Sequence, residues 1–248
     1  MDIILNNIIA CLLSLIFGYF FGSIPFGVIL CRLFRGEDPR EKGSKNSGGT
    51  NVGRLYGMKL GAATIILDAL KTILPMILVW IFLKFAINDN FMVKNFGEDF
   101  ANKIYLITIF APLGATIGHC WPIFANFRGG KAVSSYAGFA LLTCWGGFLA
   151  SFLAFGATLK KSKFVSLSSM VGSSVYAIIT WVLFILSKFT EFNVNLFFIG
   201  FGKIELWSTI NLSYAIISTI ITLILIFRHR NNIKKLANGC ENKIRWMK

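Results

Sequence analysis

The sequence predicts an all-α, polytopic integral membrane helical bundle with seven transmembrane segments, built as a single domain over residues 1–248. Three observations predict it. The 248-residue chain is 55% hydrophobic and only 15% charged. Its apolar residues gather into runs of about 20, the length a helix needs to cross a hydrocarbon core of about 30 Å. Its 25 Lys and Arg against 11 Asp and Glu, a formal charge of +14, concentrate in particular connections, as the positive-inside bias requires. Such runs cross lipid only as helices, because a strand edge or open loop would leave backbone amides unsatisfied.

The first run, about 3–30, has Asp2 ahead of it and no basic residue before Arg32. That is the reverse of a secretory signal peptide, so it reads as a retained span. Further runs lie at 58–83, 103–118, 132–159, 164–187 and 209–227. The connection 32–54 carries Arg32, Arg35, Arg40, Lys42, Lys45 and Arg54; Lys160, Lys161 and Lys163 cluster later; the tail from 228 holds seven Lys and Arg against Glu241. Placing the basic connections in the cytoplasm puts the N-terminus outside, 32–54 inside, 84–103 outside and 117–131 inside. A single crossing by 132–159 would then carry LKKSK and the basic tail outside. Both conflicts vanish if 132–159 is two short helices bent at TCWGGF (143–148). Each would hold about 12–14 residues and reach roughly 20 Å, short of a full crossing. This makes seven segments, a cytoplasmic C-terminus, and one membrane face for the polar motifs.

A charge of +14 without any nucleic-acid motif points to anionic lipid, not nucleic acid, as the partner. The five cysteines are odd in number and scattered, with no CxxC or Cys/His metal spacing, so reduced thiols, no metal and no cofactor are expected.

Three segments carry candidate chemistry. GSKNSGGTNVGR (43–54) sets Gly43, Ser44, Asn46, Gly48, Thr50 and Asn51 in a loop whose N–H groups can converge on an anion, with Arg54 as a planar fork for phosphate. It lacks the P-loop order, and the alternative is a flexible polar connection. IGHCWPIFANFRGGKA (117–132) interrupts an apolar run: Pro122 forces extended backbone, and Gly129 and Gly130 before a helix start allow close approach, with Lys131 to neutralise an anion. The alternative is a membrane turn whose cations snorkel. RHRNNIKKLANGCENKI (228–244) reads as an amphipathic interfacial helix, with His229 and Asn232 three apart on one face and Glu241 able to pair with an arginine. His119 and His229, the two histidines of the chain, both flank these segments. Ser166, at the start of a span, can bond back to its own helix or donate to a phosphate. Asp68 and Lys71, three apart, are expected to form an internal ion pair.

These motifs, in order along the whole chain, resemble the bacterial acyl-phosphate:glycerol-3-phosphate acyltransferase family, PlsY. The family pattern G-S-x-N-x-G-x-T-N-x-x-R is met at 43–54, its G-H-x-x-P-x-F pattern ending in G-G-K at 118–131, and its R-H-x-x-N-I pattern at 228–244; GSIPFG (22–27), LDALK (67–71) and VSLSS (165–169) agree as well. The resemblance implies a seven-helix bundle in the bacterial inner membrane, its site facing the cytoplasm. It implies transfer of a fatty acyl group from acyl phosphate to the 1-hydroxyl of sn-glycerol 3-phosphate, giving lysophosphatidic acid and phosphate. Motif matching assigns catalysis to Ser44, Arg54, His119, Lys131, Ser166 and Asn232. It assigns substrate binding to Gly43, Asn46, Gly48, Thr50, Asn51, Gly129, Gly130, His229 and Glu241. In the family the base is thought to be the donor's own phosphate; His119 is the alternative. The acyl chain would lie in membrane lipid, and a monomer is the default state.

The chain departs from the family pattern at Lys45 (usually glycine), Ser47 (proline), Gly49 (alanine) and Gly53 (leucine), and its connections 84–103 and 188–208 are long. The H-x-x-x-x-D spacing of other glycerolipid acyltransferases is absent, since Phe124 and Lys234 fall five positions after the histidines. A transporter for phosphorylated metabolites would use similar basic helix ends, but would need binding groups near mid-membrane and access from both sides.

Overall fold

The computed structural model describes residues 2–97, 100–189 and 212–244. Among them every regular element is helical, and the chain forms two compact units, Met1–Phe139 and Ala140–Lys248.

The first unit contains α1 (Ile3–Gly22), α2 (Phe26–Arg35), α3 (Gly49–Tyr56), α4 (Met58–Ile81) with a π-helical turn (Phe82–Ala86), α5 (Asp89–Phe96) and α6 (Phe100–Cys120). A 3-10 turn (Ile123–Ala125) follows, and then the start of α7 (Val133–Thr143). Asp2 caps α1 by accepting from the Ile4 amide at 3.1 Å. The first run breaks at Ser23-Ile24-Pro25, because Pro25 has no N–H with which to continue the helical ladder. The remainder resumes as α2 and ends on Gly36 in a left-handed conformation, φ 69°. The apolar run expected over about 3–30 thus folds as two helices within one candidate span, Ile3–Arg35.

The helix α6 is the hub of this unit, packing on α1 and α4. Its span Ile104–Ala125 is 72% buried, whereas the span containing α1 is 22% buried and turns Ile4, Leu12 and Leu13 outward. An apolar exterior of this kind suits lipid rather than water. Helices α1 and α6 touch backbone to backbone: a Cβ on Gly18 or Gly22 would strike the main chain at Ala111 or Ala115, and one on Gly114 or Gly118 would strike it at Leu15 or Tyr19. These reciprocal pairs, four apart on each helix, form the small-residue contact by which helices pack in lipid. The 84–97 stretch, expected as a polar connection, folds into the π-helical turn and α5; Asn6 of α1 ties it down by donating to the Asn95 carbonyl at 2.9 Å.

The second unit contains the end of α7, then α8 (Trp145–Ser162), α9 (Val165–Phe189), α10 (Leu212–Arg228) and α11 (Arg230–Ala237). The 132–159 stretch does break, at Cys144, whose backbone is extended (φ −144°, ψ 89°) and whose sulfur accepts from the Gly147 amide at 3.3 Å. The paired glycines expected to form the bend instead lie in the first turn of α8. There Gly147 leaves room for the Tyr176 ring, which an added Cβ would approach at 3.1 Å. Inside this unit the Thr143, Tyr176 and Tyr214 hydroxyls close a ring of hydrogen bonds. Thr180–Ser218 (2.7 Å) and Trp181–Thr219 (2.9 Å) extend the polar contact between α9 and α10.

Among the described residues four spans are long and apolar enough to cross a membrane: Ile3–Arg35, Met58–Ala86, Ile104–Ala125 and Val165–Phe189. The pair Leu212–Arg228 and Arg230–Ala237, bent by 56°, makes a fifth if counted as one. The difference from seven lies in α7 and α8, of 11 and 18 residues. At 1.5 Å per residue α7 reaches only about 16 Å against a core of about 30 Å, while α8, long enough at about 27 Å, ends in Lys160, Lys161 and Ser162, which lower its mean hydropathy. Beyond residue 189, the 188–208 connection lies outside the described residues.

Candidate active site

In the first unit the 43–54 segment is organised by one side chain. Asn51, 3% exposed, donates from Nδ2 to the carbonyls of Pro39 (2.8 Å), Asn46 (2.9 Å) and Lys42 (3.3 Å), and accepts from the Ser44 amide on Oδ1 at 2.9 Å. Its amide is therefore consumed in shaping the loop. Gly43 takes the turn at φ 62°, where an added Cβ would meet Asn51 Oδ1, and Asn46 Oδ1 accepts from the Gly48 amide at 2.7 Å. Two of the amides expected to face an anion, those of Ser44 and Gly48, are thus occupied by side chains. The side chains left exposed are Ser44, Lys45, Thr50 and Arg54. Thr50 and Arg54 are one turn apart on α3 and share a face. An anion at this segment would meet hydroxyls, an ammonium and a guanidinium rather than a cradle of amides.

The 118–131 segment meets this loop within the same unit. Asn46 Nδ2 donates to the Gly129 carbonyl at 3.4 Å. Arg40 Nη1 donates to the Ala125 carbonyl at 2.8 Å and to that of Arg128 at 3.4 Å. Asp38 holds Arg40 in place, accepting from Nη2 at 2.7 Å and from Nε at 2.9 Å. Hydrogen bonds from the Arg40 guanidinium hold the Asp38 carboxyl down at about 2, against the opposing effect of burial. Sequence reasoning counted Arg40 only as charge and passed over Asp38; the two-residue Asp-x-Arg spacing in EDPR was the available signal.

The double glycine is explained by His119. The Gly130 amide donates to the His119 carbonyl at 2.9 Å. A Cβ at Gly130 would land on the imidazole at Nε2, and one at Gly129 on the His119 carbonyl oxygen and Pro122. The His119 side chain is 4% exposed, with Nδ1 3.5 Å from Asp68 Oδ1. The expected Asp68–Lys71 pair is present at 2.9 Å, both side chains 3% exposed, and Lys71 also donates to the Ile24 carbonyl, 2.8 Å away in the α1–α2 break. Lys131, half-buried, does not open the next helix as the sequence suggested. Ala132, left-handed at φ 64°, stands between it and Val133, the first residue of α7.

In the second unit Ser166, Asn232 and Glu241 come together. Glu241 Oε1 accepts from Asn232 Nδ2 at 2.9 Å and from Ser166 Oγ at 3.3 Å. Ser166 departs from its neighbours: Ser168 and Ser169 bond back to the carbonyls of Phe164 and Val165, each at 2.8 Å. Among the described residues Glu241 pairs with this amide and hydroxyl, not with the arginine the sequence suggested. The tail is also pinned by the Ile244 amide donating to the Lys163 carbonyl at 2.9 Å. The helix α11 stops at Ala237 rather than running to 244. His229 sits at the α10–α11 bend, buried, its Nδ1 2.8 Å from the Leu225 carbonyl.

Lipid-compatible helices carrying polar loops of cations, hydroxyls and amides define the class: an integral membrane protein with a candidate site for an anionic small molecule. Residues 12–239 match the family model described as glycerol-3-phosphate acyltransferase. The chain is 36% identical over 231 residues to a glycerol-3-phosphate acyltransferase of Brucella canis, covering 93% of this chain and 92% of that protein. It is 32% identical over 239 residues to one from Mycoplasmoides gallisepticum, covering 94% of both. Two crystal structures of PlsY, an integral membrane glycerol 3-phosphate acyltransferase, are similar in fold. The glycerol 3-phosphate form has a TM-score of 0.70 at 28% identity, covering 95% of this chain and 96% of that one. The lysophosphatidic acid form has a TM-score of 0.68 at 27% identity, covering 95% of each. The chain belongs to the glycerol-3-phosphate acyltransferase family of the PlsY type.

Proposed function

We propose that the protein transfers a fatty acyl group from acyl phosphate to the 1-hydroxyl of sn-glycerol 3-phosphate, yielding lysophosphatidic acid and inorganic phosphate. The observation that carries this reading is the family match over residues 12–239, supported by likeness to a structure in its glycerol 3-phosphate form. In the reaction the hydroxyl oxygen bonds to the acyl carbonyl carbon, the carbon–oxygen bond to phosphate breaks, and the hydroxyl proton leaves with the phosphate oxygens. An acyl phosphate is already activated. The protein's task is therefore to hold two phosphates and stabilise the developing oxyanion.

Arg54 and Lys131 neutralise phosphate charge, and the exposed Ser44 and Thr50 hydroxyls donate to it. Asn232, which keeps a second Nδ2 hydrogen, donates to the oxyanion, and Ser166, its one hydrogen held by Glu241, orients the glycerol by accepting from it. Gly43, Asn46, Gly48 and Asn51 act by shaping the first loop, and Gly129 and Gly130 by letting the second lie on His119. His229 fixes the bend before α11. With the His119 ring buried against Gly130, the donor's own phosphate is the base in this reading. The protein is a monomer in the bacterial inner membrane, crossing it with seven segments, N-terminus outside, and site and C-terminus cytoplasmic.

The deciding assay gives purified protein acyl phosphate and glycerol 3-phosphate, without coenzyme A or carrier protein, and scores lysophosphatidate. Absence of product, with product restored by an acyl thioester, defeats the donor assignment. Arg54→Ala and Lys131→Ala should each abolish turnover while leaving the thermal unfolding midpoint within a few degrees of wild type.

A further inference from the structure

We propose that Asp68, with Lys71 as its counter-ion, is a positioning residue for the acyl transfer: it holds the His119 ring as the template on which the Gly129–Gly130 backbone, and with it Lys131, is set. The inference rests on the acyl-transfer reading above. Burying two ions costs heavily, and an apolar pair of similar volume is often as stable, so a buried pair calls for a reason beyond stability. Here the pair reaches two places that α4 itself does not occupy. Lys71 Nζ donates to the Ile24 carbonyl in the break of the first span, and Asp68 Oδ1 faces both Lys71 (2.9 Å) and His119 Nδ1 (3.5 Å). The His119 carbonyl then receives the Gly130 amide at 2.9 Å, and its ring lies where a Gly130 Cβ would stand. The chain between Gly129 and Lys131 therefore follows whatever orientation the imidazole adopts. Arg40, anchored on Asp38, fixes the far side of the same loop through the Ala125 and Arg128 carbonyls, which leaves the His119 side as the degree of freedom that Asp68 closes.

The test compares two uncharged doubles in the full-length protein reconstituted in lipid vesicles, Asp68→Asn/Lys71→Met and Asp68→Leu/Lys71→Met. Neither leaves a lone buried charge, and only the first keeps an acceptor for the ring. Both are expected to melt within a few degrees of each other. The asparagine version should keep KM for both phosphate substrates within about threefold of wild type, while the leucine version raises KM for at least one of them about tenfold or more with kcat within about threefold, the mark of lost ground-state positioning. Equal KM values in the two doubles, or a loss confined to kcat, would overturn the proposal. If the leucine version does not fold, Asp68→Ala/Lys71→Met replaces it and is read in the same way. Wild type in the same assay separates the two levels: no lysophosphatidate from wild type defeats the acyl-transfer reading, whereas normal product with equal KM in the doubles defeats only the strut.

Discussion

Lys45 holds a left-handed backbone at φ 55°, at a position where the PlsY pattern usually has glycine. A left-handed conformation costs an L-residue roughly 1–2 kcal/mol, and glycine's extra unfolded freedom returns roughly 0.5–1 of that. Lys45→Gly should therefore stabilise the protein by about 1 kcal/mol, seen as a higher thermal unfolding midpoint. A lower midpoint would mean that the lysine side chain contributes more than the backbone loses. Asp38 supplies a pH dependence of known sign. Its folded carboxyl, held at about 2 by Arg40, lies below the ordinary value of 3.8, so the folded state binds its proton less readily than the unfolded chain. The stabilisation is fully present above pH 4 and is lost as pH falls from about 4 towards about 2. The midpoint difference between wild type and Asp38→Asn should stay constant from pH 8 to pH 5 and shrink below pH 4. A difference that grows on acidification would show that the Asp38–Arg40 bond does not anchor the loop.

Among elements, the α1–α6 contact is the least forgiving, because each of Gly18, Gly22, Gly114 and Gly118 abuts main chain that has no side-chain rotamer to yield. Gly18→Leu should lower stability by at least the roughly 1–3 kcal/mol typical of overpacking, while leucine at outward-facing Ile9 should change almost nothing; thermal unfolding of the two variants in detergent gives the comparison. The helices themselves were legible in the sequence, since apolar runs long enough for lipid admit few other structures. Their breaks were legible only in part. Charge placement required an interruption within 132–159 and the glycine pair put it at 143–148, where the chain does break, at Cys144; Gly147 serves instead to admit the Tyr176 ring, as glycine commonly does between membrane helices. The break at Pro25 was masked by hydropathy continuing through it. In the candidate site, residue types and spacing proposed Arg54, Lys131 and Ser166. They did not reveal that Asn51 and Gly130 spend their polar groups on Pro39, Lys42, Asn46 and the His119 carbonyl, because such bonds depend on tertiary proximity that spacing does not encode.

At the scale of the whole molecule, the proposed acyl transfer requires the basic loops to face the compartment that supplies acyl phosphate, and the cysteines provide a way to test this. Cys11, Cys31, Cys120 and Cys144 are buried and Cys240 is exposed, just beyond α11. A membrane-impermeant maleimide should therefore modify one native position. With the C-terminus in the cytoplasm, intact cells should show no labelling at Cys240 and inside-out vesicles should show it fully. Lys42→Cys in a Cys240→Ser background places the same probe on the exposed side of the first loop without touching the residues assigned to substrate. The charge argument demands that it label from the same side as Cys240, because both lie in strongly basic connections that anionic inner-leaflet lipid retains. Labelling of the two positions from opposite sides would separate Arg54 from Asn232 by the width of the bilayer. The proposal that both basic segments serve one reaction on the cytoplasmic face would then fail, whatever the activity of either.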